Sequence, residues 1–496
     1  MKRYCFASLK ALAPLVLALS LLALPAGAAD LQSLVDRVAA QRPFDRAELG
    51  VSIVDVKTGR TLASRQAGVE FAPASNFKLL VAATALAYLG ANDHMTTQLV
   101  ARGPLAGSTL QGDLILVGGG DPVLSRGDLQ GAVAAVKAAG ITRISGTVLA
   151  DGTLFDRQRY GAGWAWDDAP FYYQVPIEAL SVDEGTEEIT ASAGSSASEP
   201  IILDVAPDGG YMTVTSSALT VAPNGPDDVD CFRSPGSRSI QIVGHMPVGA
   251  APEKLPCAVE DNLDYAASVA KQLLRDAGIS VADAALGGAP PNAPLDVAND
   301  SLETRSLGQR YPGGTVVWAH QSPPLAELLK RMLPPSDNFI ADELMKMLPV
   351  VTFKQRGTFD GGMKVERQFL RRLGLDPTTI DGGDGSGLSQ GDRITPADLT
   401  AILRWEATHA QGETFVAALA RAGFDGTLKH RMTGSDAVGR VRAKDGYIWH
   451  VSTLSGYAQT KRHGLVAFSI MFNGAMGPIG PFKEAEDRIV ESIVDL

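Results

Sequence analysis

The pattern of hydrophobic residues changes twice along this 496-residue chain. Between residues 96 and 301, short runs such as GDLILVG, ISGTVLA and SIQIVG are separated by Gly, Pro, Ser and Asp, which is typical of many short strands. In the flanking parts, segments 31–41 and 482–496 have apolar residues at helical spacing. The chain is too long for a single core. We therefore predict a β-rich insertion of two subdomains over 96–301, and a discontinuous second domain formed by 29–95 and 302–496.

The flanking parts also contain candidate strands. LGVSIVDV and RTLASRQ lie near the N-terminus, and VGRVRAKDGYIWHVSTLSGYAQTKRHGLVAFSIMFNG predicts three successive strands near the C-terminus. Helices at the two ends of the chain are expected to cover one face of this sheet, and a helical cluster the other. The predicted class is therefore α/β, with an antiparallel sheet between helices.

Residues 1–28 have the pattern of a secretory signal peptide. Lys2, Arg3 and Lys10 precede the apolar run ALAPLVLALSLLALPAG, and the segment 26–28 (AGA) fits a cleavage site. Two prolines interrupt the run, which is short for a membrane span. We expect a cleaved signal and no transmembrane span in the mature chain; an uncleaved anchor is the alternative.

The charge of the chain limits its partners. The formal net charge is −11, and loss of the three basic residues of the signal would make it −14. This acidity argues against nucleic-acid binding and against adhesion to anionic membranes. The seven histidines are scattered without ligand spacing, so no metal site is expected.

Two cysteines, Cys231 and Cys257, remain after the signal peptide. They flank the strand-like run SIQIVGHMPV, so a bridge across a short sheet is geometrically reasonable. In an oxidising compartment an even pair of this kind predicts a disulfide. A pair of free buried thiols is the alternative.

Ser75 and Lys78 begin the segment SNFKLLVAATALAYLG, which predicts a helix between Pro73 and Gly90. Residues three apart share a helix face, so Lys78 is placed beside the Ser75 hydroxyl. A serine becomes nucleophilic when a base takes its proton, and lysine can be that base if burial or a nearby cation such as Lys444 lowers its pKa. On this motif alone, a capping Ser75 and a solvated Lys78 remain the simpler interpretation.

A second polar group, Ser336-Asp337-Asn338, lies at the predicted start of another helix, after two prolines. The side chains of Ser336 and Asn338 can point into one cleft. There Ser336 could pass a proton to a leaving amine, and Asn338 could donate to the substrate backbone. Helix capping by Ser336 or Asp337 is a compatible alternative.

The third group, Lys444-Asp445-Gly446, lies on a predicted strand. A strand at the border of a cleft can bind an extended substrate by main-chain hydrogen bonds. The backbone N–H of Tyr447, together with that of Ser75, could form an oxyanion hole.

In this order, the three groups resemble the elements Ser-x-x-Lys, Ser-x-Asn and Lys-Thr-Gly of the class C low-molecular-mass penicillin-binding proteins, the D-alanyl-D-alanine carboxypeptidase/endopeptidase family. Further similar strings are GDLILVGGGDPVL (112–124), DGGDGSGLSQGDRITP (381–396), GFDGTLKHRM (423–432) and STLSGY (452–457). The resemblance spans nearly the whole mature chain. It implies a penicillin-binding/serine β-lactamase-like transpeptidase domain, and its members need no cofactor.

The resemblance implies a periplasmic serine peptidase that acts on peptidoglycan stem peptides and is acylated by β-lactams. Ser75 would attack the carbonyl between two D-amino acids, and water would hydrolyse the acyl-enzyme. Lys78 would be the base, Ser336 and Lys444 the proton relay, and Asn338 a substrate-positioning residue. The substrate-binding residues would be those that follow Lys444 on the strand: Asp445, Gly446 and Tyr447.

Asp445 departs from the family pattern, which has Thr at this position, where the hydroxyl helps to hold the substrate carboxylate. Two unit charges 4 Å apart interact by about 4 kcal/mol at an effective dielectric near 20, so an ionised Asp445 would repel that carboxylate. Three interpretations follow. Asp445 is neutralised by a cation such as Arg440 or Arg442, it selects a substrate without a free carboxylate, or the protein is a weak or inactive cell-wall-peptide-binding homologue. A β-lactamase is a further alternative, disfavoured by the large insertion.

Overall fold

The computed structural model describes residues 26–205, 210–282 and 310–496. Residues 1–25 of the predicted signal peptide lie outside these ranges, and the first helix begins at Ala26, within the expected cleavage site. None of the helices in the described ranges is both long enough and apolar enough to span a membrane.

The α-helices of the described ranges are numbered here in chain order. They are α1 (Ala26–Ala40), α2 (Phe77–Tyr88), α3 (Arg126–Ala138), α4 (Asn262–Asp276), α5 (Leu325–Met332), α6 (Asn338–Phe353), α7 (Phe359–Arg372), α8 (Pro396–Thr408), α9 (Gly412–Ala418) and α10 (Gly480–Val494).

The strands are numbered in the same way. They are β1 (Glu48–Asp55), β2 (Thr61–Arg65), β3 (Thr96–Arg102), β4 (Leu105–Ala106), β5 (Thr109–Leu110), β6 (Asp113–Val117), β7 (Arg143–Ile144), β8 (Val148–Asp151), β9 (Thr186–Ser192), β10 (Ile202–Val205), β11 (Thr213–Ser216), β12 (Leu219–Val221), β13 (Asp230–Phe232), β14 (Ser239–Val243), β15 (His245–Pro247), β16 (Glu253–Ala258), β17 (Ser280–Val281), β18 (Thr315–Gln321), β19 (Ala420–Arg421), β20 (Val441–Ile448), β21 (Val451–Gln459) and β22 (Leu465–Asn473).

The central sheet has six antiparallel strands in the order β19-β20-β21-β22-β1-β2. Its middle strands are buried on both faces because helices cover each side. On one face, Val35 of α1 and Ile489 of α10 share a core cluster with Val51 of β1. On the other face, Leu399 of α8 packs in the same cluster as Met471 of β22. The predicted antiparallel sheet between helices is therefore confirmed.

Helix α2 lies at the centre of the helical cluster. Its residues from Phe77 to Leu86 are all buried, as expected for a helix that is apolar on every side. It shares its core with α5, α6, α7 and α9. The start of this helix is therefore held in a fixed position between the sheet and the other helices.

The inserted region has its own core. Two four-stranded sheets, β18-β3-β6-β8 and β17-β7-β5-β4, accompany three smaller ones, and α3 and α4 contribute to the same apolar cluster. Strand β18 (Thr315–Gln321) pairs antiparallel with β3, although the expected boundary at residue 302 assigns it to the peptidase domain. The proposed division into domains and into two subdomains stays a prediction.

Cys231 of β13 and Cys257 of β16 are both buried in this region as free cysteines. The two thiols form a hydrogen bond with each other, which lowers the pKa of Cys231 and raises that of Cys257. The pair is thus close together, as the sequence predicted. The structure contains them as thiols, and the disulfide remains a prediction.

Candidate active site

Ser75 lies in a single 3₁₀ turn, Ala74–Asn76, that leads into α2. The helix expected from Ser75 onward therefore begins as a tighter turn. Two hydrogen bonds hold this turn against the central sheet. The Thr453 hydroxyl donates to the Pro73 carbonyl at 2.8 Å, and the Asn76 amide donates to Ser455 Oγ at 3.0 Å. The residues on both sides of Ser75 are thus hydrogen-bonded to β21.

Lys78 is fully buried and is not the solvated lysine of the simpler interpretation. Its Nζ lies 2.9 Å from Ser75 Oγ, 2.7 Å from Asn338 Oδ1 and 2.7 Å from the Ser386 carbonyl. Burial, assisted by the positive charge of Lys444, lowers its pKa to about 7. An amine with this pKa can accept a proton near neutral pH.

Asn338 and Asp337 lie at the start of α6. The Asp337 carboxylate caps this helix by accepting from the Ile340 N–H at 2.9 Å. The Asn338 amide uses both of its ends, because its oxygen accepts from Lys78 and its nitrogen donates to the Tyr173 carbonyl at 2.9 Å. The inserted region, which contains Tyr173, therefore reaches the site.

Ser336 is half-buried and has a left-handed backbone, with φ of 69°. This conformation is uncommon for a residue other than glycine and is often found at functional sites. In the described ranges its hydroxyl forms no hydrogen bond with Lys78 or Lys444. Ser336 therefore lies two residues before Asn338 in the chain, but it is not hydrogen-bonded to either lysine.

Lys444 and Asp445 form a buried ion pair on β20. Lys444 Nζ is 3.0 Å from Asp445 Oδ1 and 2.7 Å from the Asp445 carbonyl, and the Thr427 hydroxyl donates to Oδ1 at 2.5 Å. Burial opposes ionisation of Asp445, yet Lys444 and Thr427 together hold the pKa of its carboxyl well below the usual range. Burial lowers the pKa of Lys444, and the charge of Asp445 opposes that effect.

The cation beside Asp445 is therefore Lys444. The sequence interpretation proposed a local Arg or Lys and gave Arg440 and Arg442 as examples; the partner is a local lysine instead of either arginine. The Arg442 guanidinium donates to the carbonyls of Leu419 and Ala417 instead.

Gly446 brings β20 close to the backbone of Ser75. A Cβ at this position would lie 2.3 Å from Thr453 Oγ1 and 3.0 Å from the Ser75 backbone nitrogen, so glycine is required. Next to it, Tyr447 is 57% exposed. Strand β19 pairs only with Arg442 and Ala443. Beyond them, to Ile448, the outer edge of β20 has no partner among the described strands and can accept an extended peptide.

Two contacts of this site involve residues that the motifs did not single out, Ser386 and Thr427. Both lie in strings that were noticed only as similar to the family, DGGDGSGLSQ and GFDGTL. Ser386 contributes its main-chain carbonyl, which sequence cannot distinguish from any other carbonyl. Thr427 is brought to β20 by the fold. Within the described residues, no group of three or more His, Cys, Asp or Glu side chains is arranged to bind a metal ion.

Known proteins are similar to this chain over most of its length. The profile of the D-Ala-D-Ala carboxypeptidase 3 (S13) family matches residues 31–492. The D-alanyl-D-alanine carboxypeptidase of Actinomadura sp. is 32% identical over 461 residues, which make up 90% of this chain and 82% of the relative.

Solved structures agree with this. Penicillin binding protein 4 of Haemophilus influenzae superposes with a TM-score of 0.78 at 25% identity, over 95% of this chain and 99% of that chain. A second structure of that protein, complexed with a β-lactam, gives a TM-score of 0.71 at 24% identity, over 93% and 98% of the two chains. The family resemblance and the serine carboxypeptidase class expected from the motifs are confirmed: the chain belongs to the D-Ala-D-Ala carboxypeptidase 3 (S13) family.

Proposed function

We propose that this protein is a periplasmic serine D,D-peptidase that cleaves D-Ala-D-Ala termini and D-amino-acid cross-links of peptidoglycan through an acyl-enzyme on Ser75. The main support is the contact of 2.9 Å between Lys78 Nζ and Ser75 Oγ. Because burial lowers the pKa of Lys78 to about 7, its free amine is available near neutral pH to take the hydroxyl proton.

In the proposed first step, the Ser75 proton moves to Lys78 while Oγ bonds to the substrate carbonyl carbon. The N–H groups of Ser75 and Tyr447 would receive the negative charge on the carbonyl oxygen. The proton then passes through the Ser336 hydroxyl to the leaving amine as the C–N bond breaks. Lys444, buried beside this route, supplies positive charge. Water finally attacks the ester and releases Ser75.

The ion pair between Lys444 and Asp445 supports the interpretation in which Asp445 is neutralised and peptidase activity is retained. Asp445 Oδ1 already accepts from both Lys444 and Thr427, so its charge is compensated within the protein. The same pairing also occupies Lys444, which reduces the positive charge available to an anionic substrate. We therefore expect an active enzyme whose affinity for a free terminal carboxylate is modest.

Three further assignments belong to this proposal. The H. influenzae relative was solved in complex with a β-lactam, and we expect β-lactams to acylate Ser75 here. The pattern of residues 1–28 supports export by a signal peptide. In the oxidising periplasm, the adjacent thiols of Cys231 and Cys257 would form the expected disulfide.

The test is release of D-alanine from a purified muropeptide pentapeptide by the wild type and by Ser75→Ala. Ser492→Ala is the matched control, because Ser492 is a half-buried serine, as Ser75 is, and lies on α10, where its hydroxyl donates to the Arg488 carbonyl. The proposal predicts release by the wild type and by Ser492→Ala, and none by Ser75→Ala. Equal release by all three would overturn the assignment of Ser75.

The ion pair at Asp445 also motivates the second candidate, a cell-wall-peptide-binding homologue with little activity. This candidate predicts saturable binding of the pentapeptide with no D-alanine release, and release restored by Asp445→Thr. A β-lactamase would instead turn over many equivalents of penicillin per enzyme. Measuring nitrocefin hydrolysis under the same conditions separates these outcomes from a peptidase that penicillin inactivates.

A further inference from the structure

Lys78 has an acceptor that belongs to none of the three motifs, the Ser386 carbonyl, at 2.7 Å. This carbonyl lies in the loop 384–389, whose polar backbone is buried. A carbonyl directed at a buried ammonium must be held there by the rest of the structure, because the loop has no regular helix or strand to fix its peptide planes.

Asp342 binds the loop backbone immediately before this carbonyl. Its Oδ1 accepts from the Gly385 N–H at 2.7 Å and from the Ser386 N–H at 2.9 Å. These two bonds fix two successive peptides, Asp384–Gly385 and Gly385–Ser386, on the N-terminal side of Ser386. The Ser386 carbonyl belongs to the following peptide, whose Gly387 N–H is held by Asp384. Asp342 therefore orients the residue from which this carbonyl projects. Asp342 is fully buried, and buried polar groups are normally hydrogen-bonded, as this one is to the two loop N–H groups.

Asp342 lies four residues after Asn338 on α6, so both side chains lie on the same face of that helix. Asn338 contacts Lys78 directly, and Asp342 contacts it through Ser386. Helix α6 therefore provides one acceptor of Lys78 Nζ, Asn338 Oδ1. Through Asp342 it also binds the loop that carries a second acceptor, the Ser386 carbonyl. The third acceptor is the nucleophile itself.

The loop also packs closely against the 3₁₀ turn Ala74–Asn76, which contains Ser75. Gly387 has φ of 79°, and a Cβ there would lie 1.9 Å from the Ala74 carbonyl. Asp384 completes the loop by accepting from the Gly387 N–H and the Ser389 N–H, each at 2.7 Å. With Ala74 on one side and α6 on the other, a change at Asp342 would move the loop relative to Ser75 and Lys78.

We propose that Asp342 is a positioning residue for the peptidase reaction, which orients the Ser386 carbonyl so that Lys78 is aimed at the Ser75 hydroxyl. Asp342 itself does not touch the substrate. This inference rests on the proposed function, in which Lys78 is the base for Ser75. It assigns a role to a side chain that the three motifs do not include.

The experiment separates acylation from binding, with a fluorescent penicillin as the probe. Stopped-flow measurements give the acylation rate constant and the dissociation constant of the preceding complex. They are made at about pH 9, roughly two units above the pKa of Lys78, so that the amine is neutral in every variant. The variants are Asp342→Ala, Asp342→Asn and Glu343→Ala.

Asp342→Asn keeps an oxygen that can accept both loop N–H groups, whereas Asp342→Ala removes it. Glu343 is the matched control, because it is the next residue of α6 and is equally buried. Its carboxylate oxygens have no hydrogen-bond partner in the described ranges. We expect the acylation rate constant to fall at least about tenfold in Asp342→Ala, with an unchanged dissociation constant. Asp342→Asn and Glu343→Ala should remain near the wild type.

An equal loss in Asp342→Ala and Glu343→Ala, or in Asp342→Ala and Asp342→Asn, would overturn the inference. If the wild type is not acylated at all, the proposed function fails, and crystal structures of the two Asp342 variants then decide the inference alone. The Ser386 carbonyl should leave hydrogen-bonding distance of Lys78 in Asp342→Ala and keep it in Asp342→Asn. Its retention in Asp342→Ala would contradict the positioning role.

Discussion

Lys444 and Asp445, consecutive residues of β20, form an ion pair of 3.0 Å at the edge of the cleft. Neighbours in a strand normally point to opposite faces, yet here the long lysine side chain reaches the carboxylate beside it. The pair compensates the negative charge that made the third motif unusual. It also means that any substrate carboxylate must compete with Asp445 for Lys444.

Replacing Asp445 by Thr should therefore improve the use of substrates with a free terminal carboxylate. Removal of the anion leaves Lys444 free to attract that carboxylate. A change of about 1.4 kcal/mol in binding corresponds to a tenfold lower KM, and we expect an effect of about that size. D-alanine release from the pentapeptide, measured over a range of substrate concentrations, gives KM and kcat.

Thr427→Val is the control for this prediction, because it removes one hydrogen bond to Asp445 and leaves the charge in place. It should change KM much less than Asp445→Thr. An unchanged KM in Asp445→Thr would mean that the substrate does not approach this charge.

The rate of acylation should depend on pH through Lys78. Burial and Lys444 lower the pKa of this amine to about 7, while Asp342, Asp384 and Asp337 act in the opposite direction. Only the neutral amine can take the Ser75 proton. Acylation should therefore be constant above about pH 8 and fall about tenfold per pH unit well below the pKa.

The measurement is the second-order rate constant for fluorescent penicillin as a function of pH, with stability checked separately over the same range. A profile with no inflection between about pH 6 and pH 8 would exclude Lys78 as the titrating base.

Much of this fold could be predicted from the sequence, because its signals are local and repeated. The apolar run from Phe77 to Leu86 indicates a buried helix, and the three C-terminal strands follow from the Gly, Asn and Lys/Arg residues at the breaks between them. The boundary of the insertion was less accessible. Strand β18, which follows the predicted boundary at residue 302, pairs with β3, more than 200 residues earlier in the chain, and a contact of that range leaves no local pattern.

The motif residues of the candidate site were likewise identified from the sequence, and the structure brings Ser75, Lys78 and Asn338 into direct contact. The contacts that complete the site depend on tertiary structure. The Ser386 carbonyl is a backbone atom without a residue signature. The sequence did not identify which local cation pairs with Asp445, because the length of the Lys444 side chain, and not strand alternation, decides that contact.

Gly446→Ala should sharply reduce acylation. The added Cβ would collide with Thr453 Oγ1 and press on the Ser75 backbone nitrogen, which moves the nucleophile relative to Lys78. A displacement of about 1 Å at a reacting group can lower the rate about 100-fold, and we expect a loss of that order. Labelling kinetics with fluorescent penicillin measure it.

Gly434→Ala is the matched control, because nothing lies within 4 Å of a Cβ at that position. It should leave labelling unchanged. Labelling of Gly446→Ala at the rate of Gly434→Ala would show that β20 does not constrain the nucleophile.

A buried network between the loop 424–432 and α10 should contribute to stability. Arg431 donates to Glu486 at 2.9 Å and to Asp487 at 2.7 Å, and Ser452 of β21 donates to Glu486 at 2.7 Å. Arg431→Met would leave the Glu486 carboxylate buried without its cation. We expect a loss of about 3–5 kcal/mol in the free energy of unfolding, measured by urea denaturation.

Lys330→Ala removes the exposed ion pair with Glu327 and provides the comparison. Its effect should stay below about 1 kcal/mol. Equal destabilisation by the two substitutions would mean that the buried network has no special role.

The central claim is that Lys78 activates Ser75 as a covalent nucleophile. Mass spectrometry of the protein after incubation with penicillin, followed by peptide mapping, tests it most directly. The account predicts one adduct on the wild type, located on Ser75, and no adduct on Ser75→Ala or Lys78→Ala. An adduct on another residue, or full labelling of Ser75 in folded Lys78→Ala, would contradict it.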